Sequence, residues 1–414
     1  LGMLPALGYE GLVFCTEPTA ELLPMVLRSS ANLQKVRLDE HRDGTGPDAV
    51  VLDPPPDPAR VEAQKRDFDP PVLYSKGDAE RVSRGIVGVP YLAWRDIAPG
   101  VRMRFHDAAH IIGSASVEFE VVHGASRVRI VFSGDIGPAG EGYLRARTHA
   151  PAADLVVMES TSGARSAAQP ATDVDAALRE IIADCRARDR TALLPTFSVG
   201  RAQVLLHHLA RLSREGVMGE MPVYLDSPMA IRAAELCSRH PSLLSANARS
   251  MVTAGHSPFD FDSLHCLWSR KHSLRIAGRE GAGMVLAGSG FCDAGPVLHH
   301  LEHALGHEQG HVVFTGYVLP GSLAESLANG IARRVRVNGT EMDVRARVSR
   351  LHGLSGHADA DKMCDWLAGS GHKPGTVVLN HGDPAGRAGM ARRVHDLVGT
   401  KALQPALGDT IAAV

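Results

Sequence analysis

The middle of the chain alternates between predicted helices and short apolar strands, and this alternation constrains the fold more than any other feature. An amphipathic helix is predicted at residues 174–187, and a strand follows at 191–195. Further predicted helices and strands continue the alternation at 201–214, 223–225, 230–237, 284–287, 296–305 and 311–315. Strands and helices in this order are typical of a parallel sheet covered by helices. The sequence therefore predicts an α/β fold.

Segments before and after this central part contain further strands. They are predicted at 11–15, 101–106, 115–122, 128–132, 155–158, 344–351 and 376–379, with helices at 3–7, 18–33, 78–85 and 359–368. Residues 41–69 contain many Asp, Pro and Gly and are predicted to form a loop. At 414 residues the chain is too long for one typical core, so we expect an α/β module inserted between two parts of another domain. The predicted domain segments are 1–165, 166–350 and 351–414.

The composition is that of an ordinary globular protein, with 44% hydrophobic and 22% charged residues. A net charge of −2 neither predicts nor excludes a nucleic-acid partner, since a local basic patch is enough to hold one. The six cysteines are far apart and form no Cys-x-x-Cys pair, which indicates reduced thiols rather than a disulfide framework or a zinc ribbon. No apolar run approaches the ~20 residues of a membrane span. We therefore expect a cytoplasmic protein that does not enter a membrane.

Five polar residues lie at or just after the ends of predicted strands, where layered α/β proteins present their chemistry. They are His110, Asp135, Glu159, His357 and His381. Imidazole and carboxylate groups are zinc ligands. Each has an ordinary alternative when taken singly, such as a turn aspartate, a helix-start carboxylate or a surface histidine. Taken together, they are predicted to converge in one cleft, with Glu159 in contact with His357.

The sequences around these residues resemble a known family. In chain order they are Phe-His-Asp-Ala-Ala-His ending at His110, Phe-Ser-Gly-Asp ending at Asp135, Met-Glu-Ser-Thr around Glu159, Ser-Gly-His-Ala-Asp around His357 and Leu-Asn-His-Gly-Asp around His381. Their order and flanks resemble the metallo-β-lactamase superfamily and, within it, the β-CASP nucleases that cut RNA. The resemblance implies a metallo-β-lactamase αββα sandwich with an inserted α/β β-CASP domain, a parallel sheet flanked by helices.

The resemblance also implies roles for the five residues. His110 would bind a first zinc ion, Asp135 would bridge, and His381 would bind a second. His357 would donate a proton to the leaving oxygen, which is general-acid catalysis, and Glu159 would orient it. A histidine at 381 favours RNA over DNA as the substrate. Asp383 stands where the family more often has Glu, and its shorter side chain puts its contact near the site in doubt.

The inserted module contains further sequences similar to those of the family, at 195–203, 225–229 and 287–291. By this resemblance Arg201 and Ser289 are predicted to bind substrate, and so is Ser355 in the fragment around His357. A glycine and a helix start beside Arg201 form a reasonable phosphate cradle. Strand-to-helix turns without a ligand explain these residues equally well. The basic residues 269–272, beside Trp268, fit either a solvated surface or an RNA contact.

The sequence contains no His-x-His-x-Asp-His run, which in the family supplies the other four metal ligands. The first residues resemble the helix that directly follows that run, and we expect them to continue from a missing amino-terminal part. Two zinc ions are expected in an intact family member and zero or one in these 414 residues. By themselves the 414 residues are therefore expected to be inactive.

The sequence leaves three functions to compare. The first is a zinc-dependent ribonuclease that cuts internally, from the 5′ end, or both ways, in RNA processing or decay. The second is a non-catalytic relative acting as an RNA-binding or scaffold subunit, which the retention of all five residues disfavours. The third, a small-molecule hydrolase, is disfavoured by a long inserted module suited to clamping a polymer. A homodimer is compatible with each of them.

Overall fold

The computed structural model describes residues 1–42, 49–55, 72–138, 140, 142–164, 173–369 and 371–412. The strands within these residues are β1 Val13–Thr16, β2 Ala49–Asp53, β3 Ile86–Val89, β4 Arg95–Ala98, β5 Val101–Asp107, β6 Ala115–His123, β7 Ser126–Phe132, β8 Leu155–Glu159, β9 Thr191–Pro195, β10 Val223–Asp226, β11 Leu264–Cys266, β12 Gly283–Ala287, β13 His311–Phe314, β14 Arg334–Val337, β15 Thr340–Asp343, β16 Arg347–Arg350, β17 Thr376–Asn380 and β18 Ala402–Leu403.

The helices of the same residues are α1 Glu17–Arg42, α2 Lys76–Arg84, α3 Val174–Ala187, α4 Arg201–Arg214, α5 Pro228–Arg239, α6 Ala246–Thr253, α7 Arg270–Ile276, α8 Val297–Ala304, α9 Leu323–Ala328, α10 Ala360–Ala368 and α11 Pro384–Val398. Short 3-10 helices span Leu4–Leu7 and Pro241–Leu243. None of the described helices is both long and apolar enough to cross a membrane.

The central part forms a six-stranded sheet in the order β11-β10-β12-β9-β13-β16, and every pairing in it is parallel. Successive side chains point to opposite faces of a strand. Ala192 and Leu194 therefore pack on one face with Leu178 of α3 and Leu205 of α4. Leu193 packs on the other face in the core that includes α8 and α9. The predicted parallel sheet covered by helices is confirmed.

A second, seven-stranded sheet has the order β18-β17-β8-β7-β6-β5-β4. Helices α10 and α11 cover one face, where Trp366 and Met390 pack on Val156 and Val377. On its other face the β5–β6 region packs in one apolar cluster with the parallel pair β1–β3. Helices α1 and α2 in turn pack on that pair. The layers follow the order helix, sheet, sheet, helix, which confirms the predicted αββα sandwich.

Strands β8 and β17 join the two ends of the chain. They pair in parallel, and Glu159 at the end of β8 lies opposite Asn380 at the end of β17. On its other edge β8 pairs in parallel with β7. The carboxyl ends of these three strands therefore lie at one edge of the sheet.

The amino-terminal part of the chain differs from the sequence prediction. Helix α1 runs from Glu17 to Arg42 instead of ending near residue 33. Residues Ala49–Asp53, predicted to lie in a loop, form β2 and pair with β14. The loop prediction was wrong there because the apolar run Ala-Val-Val-Leu is short and is followed by many Pro and Asp residues. The rest of the predicted loop, at 43–48 and 56–69, lies outside the described residues.

The predicted domain boundaries stay predictions. The first of them, at residues 165–166, lies outside the described residues. The second, at residues 350–351, falls where β16 ends. Strand β2, from the first predicted segment, packs with the apolar core of the central module through Val51. The module therefore takes one strand from outside the predicted range 166–350.

A partly buried ion cluster lies at the amino-terminal edge of the six-stranded sheet. Asp184 of α3 accepts hydrogen bonds from Arg190 and Arg188, and its carboxylate lies 3.3 Å from Nη1 of Arg347. His311, at the start of β13, is 1% exposed, and its Nδ1 lies 3.5 Å from Asp184. Burial, with the neighbouring Arg190 and Arg347 charges, lowers the pKa of His311 from 6.5 to about 4. His311 is therefore uncharged in the folded protein near neutral pH.

This pKa predicts that the folded protein loses stability in mild acid. The unfolded chain takes up a proton at His311 near pH 6.5, whereas the folded protein does so only near pH 4. The neutral His311 ring thus contributes fully to the free energy of unfolding above pH 6.5, and this contribution declines as the pH falls towards 4. Urea unfolding at about pH 7 and about pH 5 should show a smaller pH effect in His311→Gln than in the wild type. Replacing the exposed His123 by Gln is the matched control, and an equal change in that variant would contradict the assignment.

Candidate metal and catalytic centre

Four of the five predicted residues end or follow strands that meet at one edge of the seven-stranded sheet, and the fifth, His357, lies in a loop. His110 lies in the loop after β5, Asp135 follows β7, and Glu159 ends β8. His381 follows β17. His357 lies in the loop before α10, whose first turn is capped by Asp359.

Asp135 lies between two of the histidines. Its Oδ2 atom is 3.8 Å from Nε2 of His110, and its Oδ1 atom is 2.9 Å from Nδ1 of His381. The His357 ring lies 4.5 Å from the His110 ring and 5.8 Å from the His381 ring, measured between ring centroids. The structure thus brings the predicted metal ligands together with His357.

Two close backbone contacts make this approach possible. A Cβ on Gly137 would lie 2.0 Å from the carbonyl oxygen of Ala109, and one on Gly382 would lie 2.5 Å from Oγ of Ser160. Any larger residue would push the His110 loop or the His381 turn away from the sheet edge. His381 itself has a φ of 44°, which is uncommon outside glycine. Its carbonyl oxygen accepts hydrogen bonds from the Ser160 N–H and the Thr161 hydroxyl, which hold the turn.

His110 is oriented by the loop that contains His357. Its Nδ1 lies 2.7 Å from the carbonyl oxygen of Gly356, which can only accept a hydrogen bond. Nδ1 therefore carries the proton, and Nε2 faces Asp135 with a free lone pair. Burial lowers the pKa of His110, and the His357 charge lowers it further. A neutral imidazole with a free nitrogen is the form that binds metal ions.

Glu159 is completely buried and makes two different contacts. One carboxylate oxygen accepts the backbone N–H of Ile136, and the other lies 2.9 Å from Nδ1 of His357. The backbone N–H of Glu159 donates to the Ser133 hydroxyl, which fixes the end of the strand. This carboxylate therefore holds Nδ1 of His357 and fixes the orientation of the ring. The predicted contact between Glu159 and His357 is present.

Ser133 and Thr161 were not predicted to act at the site. The Thr161 hydroxyl lies 3.3 Å from Nδ1 of His381. Both residues lie inside the short sequences that identified Asp135 and Glu159, so position in those sequences was the available signal. Asp383 accepts the backbone N–H of Gly386 and caps α11. Its short side chain is thus engaged at the helix start.

The predicted substrate-binding residues differ in their surroundings. Arg201 begins α4, and the preceding Gly200 lies so close to Ile111 that a Cβ would approach its side chain to 2.5 Å. The Arg201 turn therefore packs directly against the His110 loop. Ser355 is exposed, and its hydroxyl accepts the backbone N–H of His357. Ser289 donates its hydroxyl proton to Asp293, so that group serves its own loop.

The donor atoms fit a divalent metal ion such as zinc. Ligand atoms of His110, Asp135 and His357 lie within 4.8 Å of one another, and so do those of Asp135, Glu159 and His381. Zinc sites combine imidazole nitrogen with carboxylate oxygen, and catalytic sites keep three protein ligands and an open position. Asp135 is common to both groups. Asp135 with His110 and His357, or Asp135 with Glu159 and His381, would offer three donor atoms to an ion.

Two family models match the chain. The Beta-Casp domain matches residues 202–327, and the Zn-dependent metallo-hydrolase RNA specificity domain matches residues 341–405. The first match lies within the six-stranded sheet and its helices. The second includes His357 and His381.

The chain is also similar to curated proteins. It is 32% identical over 391 residues to Ribonuclease TTHA0252 of Thermus thermophilus, covering 92% of this chain and 78% of that protein. It is 28% identical to Transcription termination factor FttA of Methanosarcina mazei, covering 95% of this chain and 58% of the relative. It is 26% identical to FttA of Pyrococcus horikoshii, covering 99% of this chain and 59% of the relative. The chain thus spans less than two thirds of these two archaeal relatives.

The orientation of His110 can be tested in solution without any assay of activity. In chelator-treated protein, its ring should be the neutral tautomer with the proton on Nδ1, because Gly356 accepts there. Nitrogen-15 NMR of histidine-labelled protein identifies the tautomer, and His110→Gln assigns the signal. A ring protonated on Nε2 would contradict the geometry.

Proposed function

Because the chain belongs to the β-CASP nuclease family of the metallo-β-lactamase superfamily, we propose that it hydrolyses RNA phosphodiester bonds as a zinc-dependent ribonuclease. The observation that supports this most strongly is the contact of the buried Glu159 carboxylate with His357, which lies beside the carboxylate of Asp135. An imidazole held in one orientation next to a candidate metal site can give a proton to a group bound there. The relative named ribonuclease is consistent with this reaction.

His357 acts as the general acid in this proposal. Water attacks phosphorus and loses one proton to solvent, the bond from phosphorus to one ribose oxygen breaks, and that oxygen receives a proton from Nε2 of His357, which solvent then replaces. The Glu159 carboxylate accepts the Nδ1 proton in a hydrogen bond and stabilises the charged ring before transfer. Since Glu159 is fully buried and also accepts from Ile136, it can hold the ring without itself reaching substrate.

His110, Asp135 and His381 hold zinc in this proposal. A bound zinc ion supplies Lewis acidity and lowers the pKa of water. Among the described residues His110 and His381 belong to two different candidate groups of donor atoms, and the two groups share the single carboxylate of Asp135, which supports one ion rather than two. We therefore expect the 414 residues alone to hold one zinc ion weakly or none, and to cleave RNA poorly or not at all.

RNA is the proposed partner. Arg201 supplies a positive charge beside the His110 loop, and exposed Ser355 lies next to His357. The Ser289 hydroxyl donates a hydrogen bond to Asp293. The role that we propose for Ser289 in RNA binding therefore rests on its loop and not on that hydroxyl. The described cysteines are free thiols, which supports the cytoplasmic location. A homodimer stays a prediction.

A second candidate is a non-catalytic RNA-binding or scaffold subunit. One observation favours it, namely that the sequence contains no His-x-His-x-Asp-His run to complete a two-metal site. The Glu159–His357 pair argues against it, because a buried carboxylate that orients a histidine has little use without a reaction. RNA binding without any RNA cleavage by the natural protein would favour this second candidate.

Two substitutions in the natural protein that contains this chain should separate proton donation from metal binding. His357→Ala should slow RNA cleavage by ~10²–10⁴-fold, as expected for a lost general acid, with zinc content nearly unchanged. His381→Ala should lower both cleavage and zinc content, because His381 is assigned as a ligand. Cleavage rates and metal analysis of the purified variants measure both effects.

An activated nitrophenyl phosphodiester provides the control substrate, since its leaving group needs no proton. His357→Ala should impair its cleavage much less than that of RNA. His352→Ala, which removes an exposed histidine from the same loop, is the matched control and should change neither rate. Loss of zinc in His357→Ala, or equal impairment with both substrates, would exclude the general-acid role.

A further inference from the structure

Three aromatic rings form a small ledge at the carboxyl end of the six-stranded sheet. Phe197 follows β9, Phe291 follows β12 and Tyr317 follows β13. The ring centroids of Phe197 and Phe291 lie 4.9 Å apart, and those of Phe291 and Tyr317 lie 6.4 Å apart, both in edge-on arrangements. Phe197 is 36% exposed and Tyr317 is 56% exposed. This aromatic ledge therefore presents ring surface to solvent.

A positive charge that has no ion-pair partner among the described residues lies beside the aromatic ledge. Arg201 lines one recess together with Phe197 and Tyr317, and Gly316 lies so close that a Cβ would approach Nη2 of Arg201 to 2.8 Å. Its Nη1 atom is buried and has no hydrogen-bond partner in the described part of the chain. Burial lowers the pKa of Arg201 to about 10, so the group stays charged at neutral pH.

A half-buried charge without a partner is unfavourable in the free protein. Within the described residues no carboxylate lies at ion-pair distance from Arg201, whereas Arg190 and Arg145 are paired with Asp184 and Asp107. An anionic ligand would supply the missing hydrogen bonds, and a guanidinium matches the geometry of phosphate. The recess is therefore suited to a ligand with a negative group.

The aromatic ledge lies next to the catalytic centre. Gly200, between Phe197 and Arg201, packs against Ile111, the residue after His110. Strand β16 also ends at this edge of the sheet and leads into the loop of His357. A polymer bound in the catalytic cleft can thus continue over Arg201 onto the rings.

We propose that the aromatic ledge and Arg201 form a subsite for one nucleotide of single-stranded RNA, an inference that rests on the proposed ribonuclease function. The base stacks on the exposed ring of Tyr317 or Phe197, and a neighbouring phosphate pairs with Arg201. Phosphate alone would need no aromatic surface, and an apolar peptide would leave Arg201 unpaired. A nucleotide satisfies both features.

This subsite predicts how the protein selects its substrate. Every base has a flat aromatic face, so stacking tolerates any sequence but requires an unpaired nucleotide. The protein should therefore prefer RNA that is single-stranded at one position beside the cleaved bond.

Binding of a fluorescent single-stranded oligoribonucleotide, followed by anisotropy in the presence of a metal chelator, tests the subsite without cleavage. Tyr317→Ala should weaken binding by roughly 5- to 150-fold, the range for losing one stacked base, and Tyr317→Phe should restore it. Tyr317→Leu keeps apolar contact with Phe291 but removes the aromatic face, so it should also weaken binding. Tyr9→Ala removes another half-exposed tyrosine and should leave binding unchanged.

RNA with a single abasic nucleotide identifies the stacking itself. At the position that occupies the aromatic ledge, removal of the base should weaken wild-type binding and abolish the further loss caused by Tyr317→Ala. Arg201→Gln should weaken binding of intact and abasic RNA alike. It should also reduce the slope of the logarithm of the binding constant against the logarithm of the salt concentration by about one, the change expected for one lost phosphate contact.

The outcomes separate this subsite from the proposed function. RNA binding with normal affinity in Tyr317→Ala and Tyr317→Leu would overturn the subsite and leave the ribonuclease proposal standing. A loss in Tyr317→Ala that is the same for abasic RNA at every position would also overturn it, because no base would then contact the ring. Absence of any RNA binding by the wild type would overturn both proposals.

Discussion

The parallel pairing of β8 with β17 is the constraint on which the rest of the structure depends. It joins strands from distant parts of the chain so that Glu159 and Asn380 lie opposite each other at one edge. His381 then follows directly, held to Ser160 and Thr161 by hydrogen bonds. The inserted module leaves the first of these strands and returns before the second. The module therefore leaves the sheet at the edge where Glu159 lies and returns to it through the loop of His357.

The chemistry depends on hydrogen bonds that fix two imidazole rings in opposite roles. His110 donates a hydrogen bond from Nδ1 to a backbone carbonyl oxygen, and in the proposed function its other nitrogen would bind a metal ion. Nδ1 of His357 lies 2.9 Å from a buried carboxylate, which in the proposed function would stabilise the charged ring of a general acid. Two histidines whose rings lie 4.5 Å apart thus have different hydrogen-bond partners, and the roles that we propose for them follow from that difference.

Much of this arrangement could be predicted from the sequence, because strand ends in α/β proteins meet at one edge and the short sequences around Asp135 and Glu159 are distinctive. Strand β2 could not, because its register depends on pairing with β14, far away in the chain. Sequence also could not show that the Ser289 hydroxyl bonds to Asp293 while Arg201 has no carboxylate partner in the described residues. Such differences depend on which loops meet in the folded protein. The aromatic ledge was missed for the same reason, since its three rings lie on three separate loops.

The central claim is that RNA is cleaved at the edge formed by β7, β8 and β17. The most direct measurement is a crystal structure of the natural protein with zinc and a non-cleavable oligoribonucleotide, with anomalous data at the zinc edge. We predict one anomalous peak about 2.0–2.2 Å from a ring nitrogen of His110 and a second at that distance from a ring nitrogen of His381, both beside Asp135, since these are the usual lengths of zinc bonds to nitrogen and oxygen. A phosphate of the RNA should lie within hydrogen-bond distance of Nε2 of His357. Zinc bound elsewhere, or RNA bound away from this edge, would contradict the account.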